Sequence, residues 1–321
     1  MMLLLPALML SLLSGVSARV VRDFQNTCDI FFAEKQPPTV FSEDQYKKIC
    51  QTLNGIVYYA TLYDTENKIP VYSAYTYEGK KNCERRNYWY IEPQLDDNNA
   101  EEDMGKDNKK KLSTQQAVNE DYDIAVKIGF HRGHLAPVSQ ANSQSCVFAT
   151  FTLTNAAPQY RSFNQGKWRV VEGNLVSTLE SNCQRNTAYI VTGVVPGNDS
   201  KLNNRVNVPS HFWTTYCCKT KNNYLISGGV IGENVNSSST ILRMSVKDLE
   251  IRLSELYRKG FSLFSANCRE AKYVEVVHYG LARRRVRERN RGECGHLKQR
   301  EARPRRVGEH LTPRRVFSEQ Q

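Results

Sequence analysis

The sequence predicts an α+β fold built on a mixed or antiparallel sheet. Short apolar segments alternate with polar turns, amphipathic helical segments are few, and strands and helices do not alternate regularly. The absence of regular alternation argues against a parallel sheet of repeated strand–helix–strand units. The segments with the spacing and composition of strands are residues 55–63, 69–77, 188–195 and 224–231.

Two segments have the apolar periodicity of helices. In residues 165–181, apolar side chains including Trp168 and Leu175 recur at helical spacing. A second stripe covers residues 245–257, where Ser245 occupies the position of an N-cap. Both segments are long enough to cover a sheet, as the α+β interpretation requires.

The chain divides into three predicted regions. Residues 1–18 are apolar and end in small residues, which indicates a signal peptide cleaved after Ala18 and a secreted protein with no membrane span in its mature form. Residues 19–280 form the predicted globular domain, in which residues 95–116 read as a polar loop. Residues 281–321 contain thirteen Lys or Arg and five Glu, a net +8 of the chain's total +11, and predict a disordered basic tail.

The nine cysteines fit an exported protein. Eight of them precede the tail, which predicts disulfides among them, and the adjacent Cys217 and Cys218 are expected to have different partners. No CxxC pair is present, which argues against a zinc cluster. Two N-glycosylation sequons begin at Asn198 and Asn236 in polar segments.

A histidine in the middle of the chain is the leading candidate for a catalytic base. His134 follows Arg132 and Gly133, and a strand predicted over residues 124–130 leads into it. The unperturbed pKa of histidine, about 6.5, suits proton abstraction near neutral pH. Taken alone, such a residue is more often an ordinary core or surface histidine, so its neighbours decide the interpretation.

Those neighbours supply oxygen ligands for a hard cation. Residues 146–153 are predicted as a second strand, antiparallel to the first, and the segment 155–159 is expected to break it. Asn164 and Glu172 then fall on the predicted helix. One amide oxygen suits Mg²⁺, which retains several waters and takes a substrate phosphate oxygen as a further ligand. Arg132 is placed to contact that phosphate.

Together these residues resemble the DNA/RNA non-specific endonucleases of the ββα-metal, or His-Me finger, type. The matching motifs are Arg132-Gly133-His134, then Thr154-Asn155 with Pro158-Gln159, then Asn164-Gln165-Gly166-Lys167-Trp168 with Glu172. Upstream segments, at residues 49–51, 60–64 and 69–75, are similar to the secreted endonuclease domain-containing 1 branch, and so is 208–213. The resemblance covers about residues 20–280.

The resemblance implies a role for each site residue. His134 would be the general base, Asn164 the direct ligand of Mg²⁺ (with Mn²⁺ as a possible substitute), and Glu172 would bind the metal through a water. Asn155 would orient the site and Arg132 would contact phosphate. The implied activity is sequence-nonspecific hydrolysis of DNA and RNA that leaves 5′-phosphate ends.

One position departs from the family pattern. His131 stands where the family has an Asp, so reduced or pH-shifted activity is expected. Arg85 and Arg86, which precede a strand-like segment, are weaker candidates for phosphate contact.

Three functions therefore remain open. The first is a secreted Mg²⁺-dependent endonuclease. The second is a nuclease-fold protein with weakened catalysis that acts in nucleic-acid binding or immune interaction. The third is a cationic glycan-binding protein that depends on the basic tail. Sequence does not fix the oligomeric state.

Overall fold

The computed structural model describes residues 20–86, 88–107, 113–198, 200–236 and 238–277. The predicted signal peptide and basic tail therefore lie outside the described residues. Within the described ranges, no helix has the length and apolar composition that crossing a membrane requires.

The fold is α+β, as the sequence predicts, and is organised around a nine-stranded sheet. Its strand order is β1-β2-β3-β4-β9-β12-β13-β14, with β15 pairing in parallel to β13 while the other pairs are antiparallel. The strands of this sheet are β1 Val20–Val21, β2 Tyr46–Leu53, β3 Ile56–Asp64, β4 Ile69–Tyr77, β9 Ala188–Val195, β12 His211–Lys219, β13 Leu225–Glu233, β14 Ile241–Met244 and β15 Lys272–Tyr273.

The remaining strands of the described residues form three short two-stranded ribbons. They are β5 Tyr90–Ile91 with β6 Gly105–Lys106, β7 Phe130–His134 with β8 Ala156–Tyr160, and β10 Lys201–Leu202 with β11 Val206–Asn207. The predicted loop 95–116 thus contains a strand, β6, and a buried Met104.

The sheet is buried on both faces because its central strands carry large apolar residues at successive positions. Ile190 and Phe212 pack into one core cluster, whereas their chain neighbours Val191 and Trp213 pack into another. Side chains alternate across a strand, so the two clusters lie on opposite faces of the sheet. This arrangement accounts for the near-continuous apolar runs in the sequence.

Helices cover the two faces. They are α1 Gln144–Thr150, α2 Arg161–Phe163, α3 Arg169–Asn182, α4 Val246–Tyr257 and α5 Ala266–Arg269, with a π-helical turn at Asn164–Trp168 joining α2 to α3. The α3 helix packs into the cluster of Ile190 and Phe212, and α4 packs into that of Val191 and Trp213. The predicted N-cap of α4 is confirmed, since the Ser245 hydroxyl accepts a hydrogen bond from the Asp248 amide at 3.1 Å.

A strand–strand–helix unit carries the sequence motif. Strand β7 pairs with β8 in antiparallel register, and the chain continues directly into α2, the π turn and α3. The predicted bounds of this unit were wrong. Residues 123–129 form turns before β7, and the segment predicted as a strand at 146–153 is largely helix α1. The segment 155–159, predicted as a break, lies mostly in β8.

The disulfides agree with the prediction in part. Cys28 pairs with Cys50, Cys183 with Cys218, and Cys217 with Cys268, so the adjacent cysteines do have different partners. Cys83 is also disulfide-bonded. Cys146, which was expected to take part in the set of eight, is a free thiol.

Candidate active site

Strand β7 places two motif residues on one face. Side chains alternate along a strand, so Arg132 and His134 point the same way and His131 points the other. Both Arg132 and His134 contact Trp89: the His134 ring centroid lies 4.6 Å from that of Trp89, and the Arg132 guanidinium carbon lies 5.7 Å from it. The residue that departs from the family pattern therefore faces away from the candidate base.

His134 lies in an aromatic enclosure. Trp89 is on one side, and Phe151 approaches edge-on with its ring centroid 5.0 Å away. The Nε2 atom of His134 is buried and has no hydrogen-bond partner among the described residues. Burial, with a smaller contribution from the positive charge of Arg85, lowers the pKa of His134 to about 3. The imidazole is therefore neutral at physiological pH, with an unused nitrogen.

Arg132 is held between two aromatic rings. Its guanidinium carbon is 4.9 Å from the ring centroid of Tyr122 and its Nη2 donates to the carbonyl of Asn119 at 3.3 Å. Its Nε is buried without a partner. Burial lowers the pKa of Arg132 from its usual value, but an arginine stays protonated under these conditions. Arg132 thus keeps one buried donor that has no hydrogen-bond partner among the described residues.

Gly133 is required because β7 and β8 come very close. A Cβ atom at Gly133 would lie 2.5 Å from Oε1 and 2.7 Å from Cβ of Gln159. The glycine therefore permits side-chain packing across the ribbon and does not serve the sharp turn that the sequence suggested.

Asn155 orients the segment after His134. Its Oδ1 accepts hydrogen bonds from the Ala136 amide and the Ser73 hydroxyl, both at 2.9 Å. Its Nδ2 donates to the carbonyls of Ala136 and Thr150, both at 3.0 Å. The side chain is fully buried, so this amide connects strand β4, the chain that leaves β7 and the end of α1. Its geometry fits the orienting role that the resemblance implies.

The helical segment carries Asn164 at its start and Glu172 two turns later. Gly166, inside the π turn, has φ −95° and ψ −110°, which marks a kink. In a regular helix, positions eight apart differ in direction by about 80°. The π turn and the kink at Gly166 change this angle, because the backbone between the two positions is not a regular helix.

Glu172 is a partly buried carboxyl group in the first turn of α3. Burial raises its pKa to about 7, and the nearby charge of Arg85 opposes that rise. No described residue donates a hydrogen bond to it. The oxygens of Glu172 are therefore available to accept a hydrogen bond from a ligand, because no described residue supplies a donor.

Arg85 and Arg86 have different surroundings. The charge of Arg85 acts on both His134 and Glu172, and its guanidinium carbon lies 5.4 Å from the Phe151 ring centroid, which places this exposed side chain at the site. Arg86 is half-buried, with its guanidinium carbon 3.7 Å from the ring centroid of Phe148.

The chemistry of these side chains is compatible with a hydrated divalent cation. No group of three or more His, Cys, Asp or Glu side chains in the described ranges is arranged to hold a metal. Mg²⁺ needs few protein ligands because it keeps most of its waters. The amide of Asn164, the hydrogen-bond-accepting carboxyl of Glu172 and the unpartnered Nε2 of His134 are the kinds of group that such an ion and its waters would engage.

Sequence reasoning missed the aromatic part of the site. Trp89 and Phe151 were not among the candidate residues, but both contact His134. The segment Arg85-Arg86-Asn87-Tyr88-Trp89-Tyr90 places two cationic residues shortly before three aromatic residues, and this pattern was the available signal.

Comparison with known proteins gives a family match. The family described as DNA/RNA non-specific endonuclease matches residues 39–275. That range contains every site residue named above.

Individual relatives agree with the family. The chain is 35% identical over 267 residues to the endonuclease domain-containing 1 protein of Homo sapiens, and 29% identical over 269 residues to that of Mus musculus. Each alignment covers 78% of this chain and 51% of the relative, so the chain spans about half the length of these proteins. Among solved structures, the EndoG/EndoGI complex has a chain that is 20% identical, with a TM-score of 0.46, covering 65% of this chain and 84% of that one.

Proposed function

Because this chain belongs to the DNA/RNA non-specific endonuclease family, we propose that it is a secreted, Mg²⁺-dependent, sugar-nonspecific endonuclease that cuts DNA and RNA. The proposal assigns His134 as the general base, Asn164 as the metal ligand and Glu172 as the acceptor for a water of the metal. Arg132 and Arg85 would bind the substrate phosphate, and Asn155 would position the segment that follows His134.

The observation that carries this proposal is the environment of His134. A neutral imidazole with a buried, unpartnered Nε2 stands between Trp89 and Phe151, within the electrostatic reach of Arg85. A purely structural histidine normally uses its buried nitrogens in hydrogen bonds. A ligand that accepts or donates at this nitrogen, close to the positive charge of Arg85, explains the missing partner better.

The proposed reaction is hydrolysis of a phosphodiester. His134 takes a proton from the attacking water as the water oxygen bonds to phosphorus, and the bond from phosphorus to the 3′ oxygen breaks. The leaving 3′ oxygen takes a proton from solvent water, and His134 afterwards returns its proton to solvent, so the products are a 5′-phosphate and a 3′-hydroxyl. The negative charge of a bound phosphate raises the pKa of His134 from its low value, because a nearby opposite charge stabilises imidazolium. Arg132 and Arg85 stabilise the charge that develops on the phosphoryl oxygens.

A bound Mg²⁺ would supply further stabilisation of that charge. Asn164 and Glu172 are the residues proposed to hold it, the first directly and the second through water. Mn²⁺ has similar ligand preferences and is expected to replace it.

Secretion is proposed on two grounds. The sequence begins with an apolar segment of the signal-peptide type, and the described residues contain three complete disulfides, which form and persist in oxidising compartments. Asn198 and Asn236, which begin the two sequons, are both exposed, so glycans are part of the proposal.

The test is plasmid nicking by the purified full chain in Mg²⁺, in Mn²⁺ and in EDTA, across a pH series. Wild type should nick in either metal and not in EDTA, and His134→Ala should lose this activity. His211→Ala is the matched control, since His211 is a half-buried histidine outside the site. Equal nicking by wild type and His134→Ala would refute the assignment of the base.

A second candidate is a nuclease-fold protein with weakened catalysis that binds nucleic acid or an immune partner. Its support is His131, which replaces the family's Asp. Binding with strong salt dependence but no cleavage at any pH from about 5 to 9 would favour it, and restored cleavage in His131→Asp would identify the cause. The position of His131 on the opposite face of β7 from His134 favours the active enzyme.

A further inference from the structure

We propose that Arg86, Tyr88 and Lys106 form a stacking platform for an unpaired nucleobase, so that the protein binds single-stranded nucleic acid in preference to duplex. We call these three residues the Tyr88 platform. The inference rests on the proposed nuclease function and names the substrate form that the same site takes.

The platform combines one exposed ring with two cations. Tyr88 is 39% exposed. The Arg86 guanidinium carbon lies 4.6 Å from its ring centroid, and the Lys106 Nζ lies 6.0 Å from the same point. A flat aromatic surface bordered by positive charge is the arrangement that binds single strands, because bases stack on the ring while cations follow the phosphates.

The ring is held in place by a hydrogen-bonded pair. The hydroxyl groups of Tyr88 and Tyr90 are 2.9 Å apart, and the Arg86 Nη1 donates to the Tyr90 hydroxyl at 2.7 Å. Tyr90 is buried in β5 and pairs with Lys106 of β6. Fixing the platform on this ribbon reduces the entropy lost when a base binds.

The platform lies next in sequence to the residues that surround His134. Trp89, the next residue after Tyr88, has its ring against that of His134. Arg85, the residue before Arg86, acts electrostatically on His134 and Glu172. Arg85 and Trp89 thus lie at His134, while Arg86 and Tyr88 between them belong to the platform, so the two sites share one short segment of chain.

This geometry selects unpaired bases. The faces of a base in a duplex are covered by the bases above and below it, whereas a single strand exposes them at little cost. Phosphate contacts alone do not distinguish the two forms, because both carry them.

Other exposed tyrosines lack these features. Tyr224 is 47% exposed and Tyr273 is 41% exposed, and no cation–π contact within the described residues involves either ring. Exposure of a tyrosine alone therefore does not explain the cations around Tyr88. Tyr224, an exposed tyrosine without such cations, is the matched control for substitutions of Tyr88.

The test measures binding without cleavage, by fluorescence anisotropy at one salt concentration, on full chains that carry His134→Ala. The ligands are a labelled single strand, its duplex, and the same strand with abasic sites in place of all bases. Tyr88→Ala should weaken binding of the normal strand about tenfold and leave duplex binding within about twofold. Tyr88→Phe, which keeps the ring, and Tyr224→Ala should bind the normal strand as the parent does.

The abasic strand separates stacking from charge. It should bind the parent about tenfold more weakly than the normal strand and should not respond to Tyr88→Ala. Tyr88→Leu, which keeps apolar bulk without a flat ring, should behave as Tyr88→Ala and serves if the alanine variant does not fold. Equal losses on single strand and duplex, or no loss, would overturn the proposal.

The outcome is separable from that of the proposed function. If wild type nicks plasmid but Tyr88→Ala binds single strands normally, the platform alone is refuted. If wild type does not nick but the binding pattern holds, the platform stands and the hydrolytic proposal fails.

Discussion

The carboxyl group of Glu172 should make the protein less stable as pH rises. Burial raises the pKa of Glu172 in the folded state to about 7, whereas its pKa in the unfolded chain is the ordinary 4.5. Between these two values the folded state holds the proton more tightly than the unfolded state does. Stability is therefore greatest below the lower value, falls as pH rises towards the upper one, and then becomes constant.

The size of the effect follows from the shift. A difference of one pKa unit corresponds to 1.36 kcal/mol, so the rise to about 7 corresponds to roughly 3 kcal/mol of lost stability. Glu172→Gln removes the titration but keeps the shape and a polar group. The free energy of unfolding of this variant, minus that of wild type, should increase by up to about 3 kcal/mol between acid and alkaline pH.

The assay is urea unfolding in EDTA, followed by circular dichroism, over a pH series from about 4 to 8 that brackets both values. Wild type and variant share all other titrating groups, so those contributions cancel in the difference. Glu120→Gln, which changes an exposed carboxylate, is the control and should follow wild type at every pH. A difference between Glu172→Gln and wild type that is constant with pH, or that decreases, would refute the assigned environment of Glu172.

Metal binding should act in the opposite direction. A cation near Glu172 favours its ionised form, so added Mg²⁺ should stabilise wild type more above pH 7 than below it. Glu172→Gln should show a smaller gain with little pH dependence.

Three further substitutions test how the site is positioned. Gly133→Ala places a methyl group against Gln159 and should cost about 1–3 kcal/mol of stability, measured by urea unfolding, with reduced nicking because β7 carries His134. Asn155→Ala leaves buried backbone groups unpaired and should cost about 3 kcal/mol or more, whereas a near-neutral result would contradict its connecting role. Asp121→Ala leaves the guanidinium of Arg205 without its 2.8 Å partner, and a loss of about 3 kcal/mol is expected by the same measurement.

Sequence patterns predicted the main sheet well where one physical signal was dominant. Strands β4 and β9 were predicted with their observed bounds, because their long apolar and β-branched runs lie between turns. The N-cap of α4 was recognised because Ser245 directly precedes an apolar stripe. Such signals are local, and tertiary packing reinforces them.

The motif region was harder because tertiary contacts override local preference there. Residues 144–150 form α1, capped by the Ser143 hydroxyl, although their Val, Phe and Thr content favours a strand. Pro158 suggested a break, yet it lies in β8, which pairs only with β7 and so leaves one edge where a missing N–H costs nothing. The enclosure of His134 by Trp89 and Phe151 joins distant segments, and no local pattern reveals it.

The bonds made by Cys217 and Cys218 bear on how this protein would come apart. Consecutive residues of β12 face opposite sides, so one thiol is joined to Cys268 beside α4 and the other to Cys183 at the end of α3. The disulfides of these two consecutive residues thus join the helical layers on both faces of the sheet to strand β12. We therefore expect early opening in parts of the layers that are far from these two bonds, such as the end of α3 nearer to Asn164. Limited digestion by an added protease should accordingly start near that end, and reduction of the disulfides should spread the cuts along the chain.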